Sequence, residues 1–166
     1  AFVIMGASSS TTSEMWSLAA DQPAGKPASM AGRVDGREYY VDHAGDRFFI
    51  RTNDTGRNFR LVSASVSAPG TGWKELVGHR DDVMLEDVDC FRDFYVTSER
   101  EKGVTVLRVS ELAGGKTHTV TFPEPGSRNP VIIRIVVVFP APFGPRKPRI
   151  SPRSTRNDTS STATVP

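Results

Sequence analysis

A single cysteine and three histidines are all that 166 residues hold of those types, and each scarcity excludes something. Cys90 has no partner for an internal disulfide and fits a reducing compartment, so a cytoplasmic location is expected. Its thiol is expected to pack as a small apolar group beside Val88 and Phe91. His43, His79 and His118 are far apart and lack ligand spacing with Cys90, which argues against zinc, and no other cofactor is indicated. No apolar run reaches the roughly 18 residues of a membrane helix, and no charged-then-apolar leader opens the chain. A Gly-x-Ser-x-Gly elbow is also missing. The nearest string, Gly6-Ala7-Ser8-Ser9-Ser10, lacks the closing glycine and reads as a hairpin. No Ser/Asp/His triad is found, and no catalytic residue is assigned. His79-Arg80-Asp81 imitates a kinase catalytic triplet without the asparagine or the glycine-rich loop such a site requires.

What is present is a repeat. Arg47-Phe48-Phe49-Ile50-Arg51 has a counterpart 46 residues earlier in Ala1-Phe2-Val3-Ile4-Met5 and 46 later in Asp93-Phe94-Tyr95-Val96-Thr97. Met15, Leu61 and Leu107 keep the same interval, as do Met30, Leu76 and Phe122. A period of about 40–50 residues with several short strands per unit is the signature of a β-propeller blade. The second unit reads as strands over Glu38 to Asp42, Arg47 to Thr52, Phe59 to Ala64 and Trp73 to Val77. The third reads as Val83 to Val88, Asp93 to Ser98, Val104 to Val109 and Thr117 to Phe122. Turn chemistry separates them: His43-Ala44-Gly45-Asp46, Asn53-Asp54-Thr55-Gly56 and Ala68-Pro69-Gly70. Gly56 is expected at positive φ in its hairpin. The first unit supplies Phe2 to Met5 and Glu14 to Leu18, followed by a loop from Asp21 to Pro27, with no counterpart of the inner strand. No 3.6-residue period appears before Pro130, so the fold class is all-β.

Three such units make an incomplete propeller, because a closed ring takes about four to eight blades. The chain is therefore expected to belong to something longer, with a truncated start. The repeat region is assigned to residues 1–127. After it the composition changes: seven of the 12 prolines lie between Pro130 and Pro166. Residues 128–166 hold seven Lys and Arg against Asp158 alone, a balance of +6, which leaves −4 for the repeat region out of the total of +2. One strand is possible at Val131 to Val138. The remainder of this Pro/Arg/Ser/Thr-rich tail cannot bury enough apolar surface to fold and is expected to be disordered. Arg146 to Arg156 could touch phosphates non-specifically, but no aromatic residues are interleaved for base stacking. No specific nucleic acid and no membrane is expected as a partner.

Tyr40-Val41-Asp42-His43, then Asp46-Arg47-Phe48-Phe49-Ile50-Arg51-Thr52-Asn53, then Asn58-Phe59-Arg60-Leu61 resembles the propeller of the oligopeptidase B branch of the prolyl oligopeptidase family. Met84-Leu85-Glu86, Phe91, Glu99-Arg100, Gly103 and Leu107 resemble the same domain one blade on. The resemblance implies a seven-bladed propeller over an α/β-hydrolase domain. It implies a serine peptidase that cuts short peptides, after Arg or Lys in this branch, with the propeller as size filter. The triad belongs to the hydrolase domain, so this chain is expected to be inactive by itself. The alternative is a free-standing propeller-type binding module with a basic tail.

Within the acidic run Asp81, Asp82, Glu86, Asp87 and Asp89, the candidate substrate-steering residues are Asp81, Asp82 and Glu86. A loop entering an inner strand faces an end of the central channel, where carboxylates focus the field on a basic peptide. The competing reading is a solvated loop that discourages edge pairing. Arg47, Arg51, Arg57, Arg60, Glu99, Arg100 and Glu101 read as salt-bridged surface, where each exposed pair contributes about 0–1 kcal/mol. Asn53-Asp54-Thr55 and Asn157-Asp158-Thr159 match the glycosylation pattern, which matters only in a secreted chain.

Overall fold

In an extended chain Phe48 and Ile50 leave one face while Phe49 leaves the other. A strand of that composition needs cover on both sides. The computed structural model describes residues 1–121 and provides that cover. Three antiparallel sheets follow one another along the chain. The first holds β1 (Phe2–Ser8), β2 (Ser13–Ala19) and β3 (Ala28–Ser29). The second holds β4 (Tyr39–Ala44), β5 (Arg47–Thr52), β6 (Arg60–Ser65) and β7 (Lys74–Val77). The third holds β8 (Val83–Cys90), β9 (Phe94–Glu101), β10 (Val104–Glu111) and β11 (Thr117–Thr119). Strands neighbour one another in chain order within every sheet, which is the layout of a propeller blade. The first sheet has three strands where the others have four. Among the described residues there is no helix.

Two hydrophobic clusters join the sheets. Phe2, Ile4 and Met15 of the first sheet pack against Tyr39, Val41, Phe48, Ile50 and Val62 of the second. Phe49, Phe59 and Leu61 on the opposite face pack against Leu85 and Tyr95 of the third. The second sheet is thus apolar on both faces because both are covered.

The interval of 46 survives in the third strand of each unit and slips in the second. Met15, Leu61 and Leu107 pair across their ladders with Gly6, Arg51 and Ser98, positions separated by 45 and then 47. One residue of slip turns a side chain to the other face. Phe2 and Phe48 therefore do not occupy equivalent places. They meet across the first seam, ring centroids 5.1 Å apart. The counterpart of Phe48 in the third sheet is Tyr95, 7% exposed and 6.2 Å from Phe49. Phe94 instead stacks on Phe91 at 4.6 Å. The slip arises because the connections between second and third strands differ in length. Residues 9–12 link β1 to β2, residues 53–59 link β5 to β6, and Lys102-Gly103 alone links β9 to β10.

Several local expectations are corrected. Gly56 is not at positive φ; Phe59 is, at 63°, so it leaves the strand and caps the second cluster. Gly56 is required for space, since the ring of His79 occupies the place a Cβ would take. The two-residue hairpin at Lys102 (φ 51°) and Gly103 (φ 81°) does use left-handed backbone, as tight β-hairpins do. Trp73 precedes β7, its indole donating to the Pro69 carbonyl at 2.9 Å. The strand expected over Thr117 to Phe122 ends at Thr119. Phe122, the boundary at 127, the strand at 131–138 and the basic tail lie outside the described residues.

Candidate substrate-facing site at the joint of the second and third sheets

The connector from β7 to β8, residues 78–82, is the loop that enters an inner strand. It is gripped from both sides. From the second sheet, Asn58 Nδ2 donates to the carbonyls of Arg80 (2.9 Å) and Asp81 (2.8 Å). Its own carbonyl accepts the Leu85 amide at 2.9 Å. From the third sheet, Glu99 Oε2 takes Arg80 at 2.7 Å and Arg108 at 3.0 Å, while Thr97 Oγ1 donates to Oε1 at 2.9 Å. The Glu99 side chain is 1% exposed, so the surface reading of that residue is wrong. Burial pushes its carboxyl up, but the bonds from Arg108, Arg80 and Thr97 outweigh that and hold it below its usual value. An unpaired carboxylate at such a position would be expelled or protonated; paired, it is a hub.

On this framework the side chain of Asp81 stands fully in solvent and Asp82 is exposed. His79 Nδ1 lies 3.9 Å from Asp81 Oδ1. Glu86 does not join them in the loop. It sits within β8 and pairs with Arg100 at 2.6 Å, which offsets its charge. Asp81 and Asp82 are therefore displayed together, and Glu86 is set apart. Of the remaining acidic run, Asp87 contributes its Oδ1 to the Val88 amide at 2.9 Å.

Arg51 was also read as surface, and its guanidinium is instead held between the rings of Tyr40 and Phe59, 4.5 Å from each centroid. It donates to the Leu85 carbonyl at 3.2 Å. Burial lowers its pKa from the ordinary value, opposed by the nearby Asp87, Tyr40, Glu38 and Glu86. Leu85 thus has both backbone groups bonded to the preceding sheet. Tyr39, 46 residues earlier, is held the same way: its amide donates to Ser13 Oγ at 2.6 Å, and that hydroxyl donates to its carbonyl at 2.7 Å. At the far end of the same pair of inner strands, Asp42 Oδ2 accepts the Cys90 amide at 3.3 Å. Sequence reasoning missed Ser13, Asp42, Asn58 and Glu99 as joint-forming residues. Only the coincidence of Tyr39 and Leu85 at the repeat interval hinted at them.

Gly6, Ala7 and Ser8 lie inside β1, where no nucleophile elbow can form. The ring of His43 packs against Phe2 at 4.9 Å and Phe48 at 5.4 Å, and His118 is on β11. Among the described residues no group of His, Cys, Asp and Glu is placed to hold a metal. Burial, with help from Asp42, Asp89 and Asp87, pushes the Cys90 thiol well up, so it is not a ready thiolate. The amide of Asn53 is committed within the fold, its oxygen accepting from the Glu38 amide (2.8 Å) and its nitrogen donating to Gly36 (3.2 Å). Asn157 is outside the described residues. At the opposite ends of the strands a cavity of about 280 Å³ is lined by Asp46, Arg47, Arg92 and Asp93. These charges pair with their sequence neighbours.

Sheets of this order, with inner strands tied to the preceding unit, define the chain as a run of propeller blades. Residues 1–131 match the N-terminal β-propeller domain of prolyl oligopeptidase, and the chain belongs to that family. It is 38% identical over 119 residues to dipeptidyl aminopeptidase BI of Pseudoxanthomonas mexicana, covering 70% of this chain and 16% of that protein. It is 25% identical over 124 residues to the human prolyl endopeptidase-like protein, covering 74% and 17%. Among solved structures it resembles oligopeptidase B from Trypanosoma brucei with covalently bound antipain in its closed form. That match has a TM-score of 0.64 and 28% identity, covering 75% of this chain and 21% of that one. Oligopeptidase B from Leishmania major matches with a TM-score of 0.66 and 25% identity, covering 75% and 19%. The chain thus spans about a sixth of the curated relatives it matches.

Proposed function

We propose that this chain is the substrate-gating propeller portion of a serine oligopeptidase that hydrolyses short peptides after Arg or Lys. The observation that carries the reading is the succession of blade-like sheets in a chain of the prolyl oligopeptidase family. The likeness to two oligopeptidase B structures supports the choice of branch. The rigidly held connector supports the basic specificity, because Asp81 and Asp82 project from it into solvent with a negative repeat region behind them. The nucleophile, base and acid belong to a hydrolase domain, and this chain contributes access and steering. A cytoplasmic location is part of the proposal. The free-standing binding module loses ground to family membership.

Steady-state kinetics of the intact protein test this. Short peptides with Arg or Lys before the scissile bond are cut with a kcat/KM far above that of otherwise identical Pro peptides. Neutralising both carboxylates (Asp81→Asn with Asp82→Asn) raises KM for the basic peptides by about threefold at low ionic strength, leaves kcat alone, and loses its effect at high salt. Equal rates on Arg and Pro peptides end the specificity reading, and a KM indifferent to the double substitution at low salt ends the steering role.

A further inference from the structure

The imidazole of His79 is fixed by what lies against each of its edges. The edge made of Nε2, Cδ2 and Cε1 fills the place that a Cβ on Gly56 would take, which seats the ring on the loop between β5 and β6. Nε2 is buried there with no hydrogen-bond partner. Nδ1 is on the other edge, 3.9 Å from Asp81 Oδ1, so protonation of the ring makes an ion pair without any movement. The His79 side chain is largely buried, while that of Asp81 stands in water. Both belong to a connector whose Arg80 and Asp81 carbonyls are held by Asn58, so the ring and the carboxylate keep their spacing.

The charged groups on the elements around the ring are accounted for one by one. On the connector, Arg80 is bound to Glu99 of the third sheet, and Asp82 is exposed beside Asp81. On the loop that seats the ring, Asp54 is bound to Arg60 and Arg57 is exposed. On β7, Glu75 is bound to the same Arg60. Carboxylates and guanidiniums ordinarily stay ionised between about pH 8 and about pH 5.5, whereas an imidazole ordinarily gains its proton in that range. Among these groups, only His79 is of the type that changes charge there.

We propose that His79 is a pH switch on the steering carboxylate. Neutral, it leaves the charge of Asp81 to an approaching basic peptide; protonated, it pairs with Asp81 and cancels that charge. The inference rests on the steering role proposed above for Asp81 and Asp82 and adds its regulation. An approaching cation responds to the sum of the charges displayed at the site. A positive ring 3.9 Å from Asp81 reduces the displayed pair of negative charges to the single charge of Asp82.

Steady-state kinetics of the intact protein at low ionic strength test the switch. The substrates are a peptide with Arg before the scissile bond and the same peptide with citrulline, its uncharged isostere. The ratio of their kcat/KM values cancels any titration of the hydrolytic machinery that both peptides share. In wild type the ratio falls by about twofold from about pH 8 to about pH 5.5, through KM. In His79→Gln it keeps its starting value across that range. In Asp81→Asn, a change confined to a side chain in solvent, the ratio is already low at the start and falls no further. A wild-type ratio that ignores pH overturns the switch, and so does a fall of equal size in either variant. A ratio near one throughout overturns the basic specificity itself, and the switch with it.

Discussion

Glu99→Gln is expected to destabilise the intact protein by about 3 kcal/mol, the cost of leaving buried partners of a broken ion pair uncompensated. The figure sits at the lower end of the range because the Arg80 and Arg108 side chains are 35% and 27% exposed, so water recovers part of the loss. Breaking the fully solvated Arg92–Asp93 pair with Asp93→Asn should leave the denaturation midpoint where it was, although the contact is as short, at 3.0 Å. The same carboxylate sets an acid limit. Its folded pKa lies below the ordinary value, so its contribution is complete above the unfolded carboxyl value of about 4.3. That contribution is lost as the pH falls through the folded value. The difference in stability between wild type and Glu99→Gln therefore closes in acid below about pH 4. Urea denaturation from pH 7 downward measures it, and a constant difference across that range rules the hub out.

Phe48→Ala is the second large effect, about 3–5 kcal/mol, because the ring is fully buried between the first two sheets. Its neighbours there include Phe2 and His43, which a collapsed cavity would have to bring together. The informative comparison is with the third sheet. On a strict interval of 46, Phe94 is the equivalent of Phe48 and Phe94→Ala should cost as much. On the observed ladder the equivalent is Tyr95, which packs on Phe49. Tyr95→Ala is expected to cost more than Phe94→Ala by about 2 kcal/mol. The reverse order in chemical denaturation would restore the strict period.

Those residues mark what the sequence made legible. Strand positions were readable because apolar pairs such as Phe48-Phe49 recur between turn residues. Faces were not readable, since alternation has a period of two and one residue of slip in a connection reverses it. Met15, Leu61 and Leu107 held their faces while Phe2, Phe48 and Phe94 did not. Glu99 looked like surface because Thr97 to Glu101 is polar or charged after Val96, and only the approach of Arg80 and Arg108 from outside the strand makes a buried carboxylate tolerable. Gly56 was assigned a backbone role, and its partner, His79, lies 23 residues on, beyond the reach of a local turn rule. Asp81 and Asp82 could be placed in advance because the loop entering an inner strand follows from the repeat. Glu86 could not, because its pairing with Arg100 depends on the register of β8 against β9, which carries a bulge between Leu85 and Asp87.

The gating role is tested most directly by size selection in the intact protein. A short peptide containing one Arg is compared with the same sequence placed in an exposed loop of a stably folded protein, with and without a serine-directed covalent inhibitor. The expected result is rapid cleavage of the peptide, abolished by the inhibitor, and no cleavage of the folded protein. Equal cleavage of both, or cleavage indifferent to the inhibitor, contradicts it.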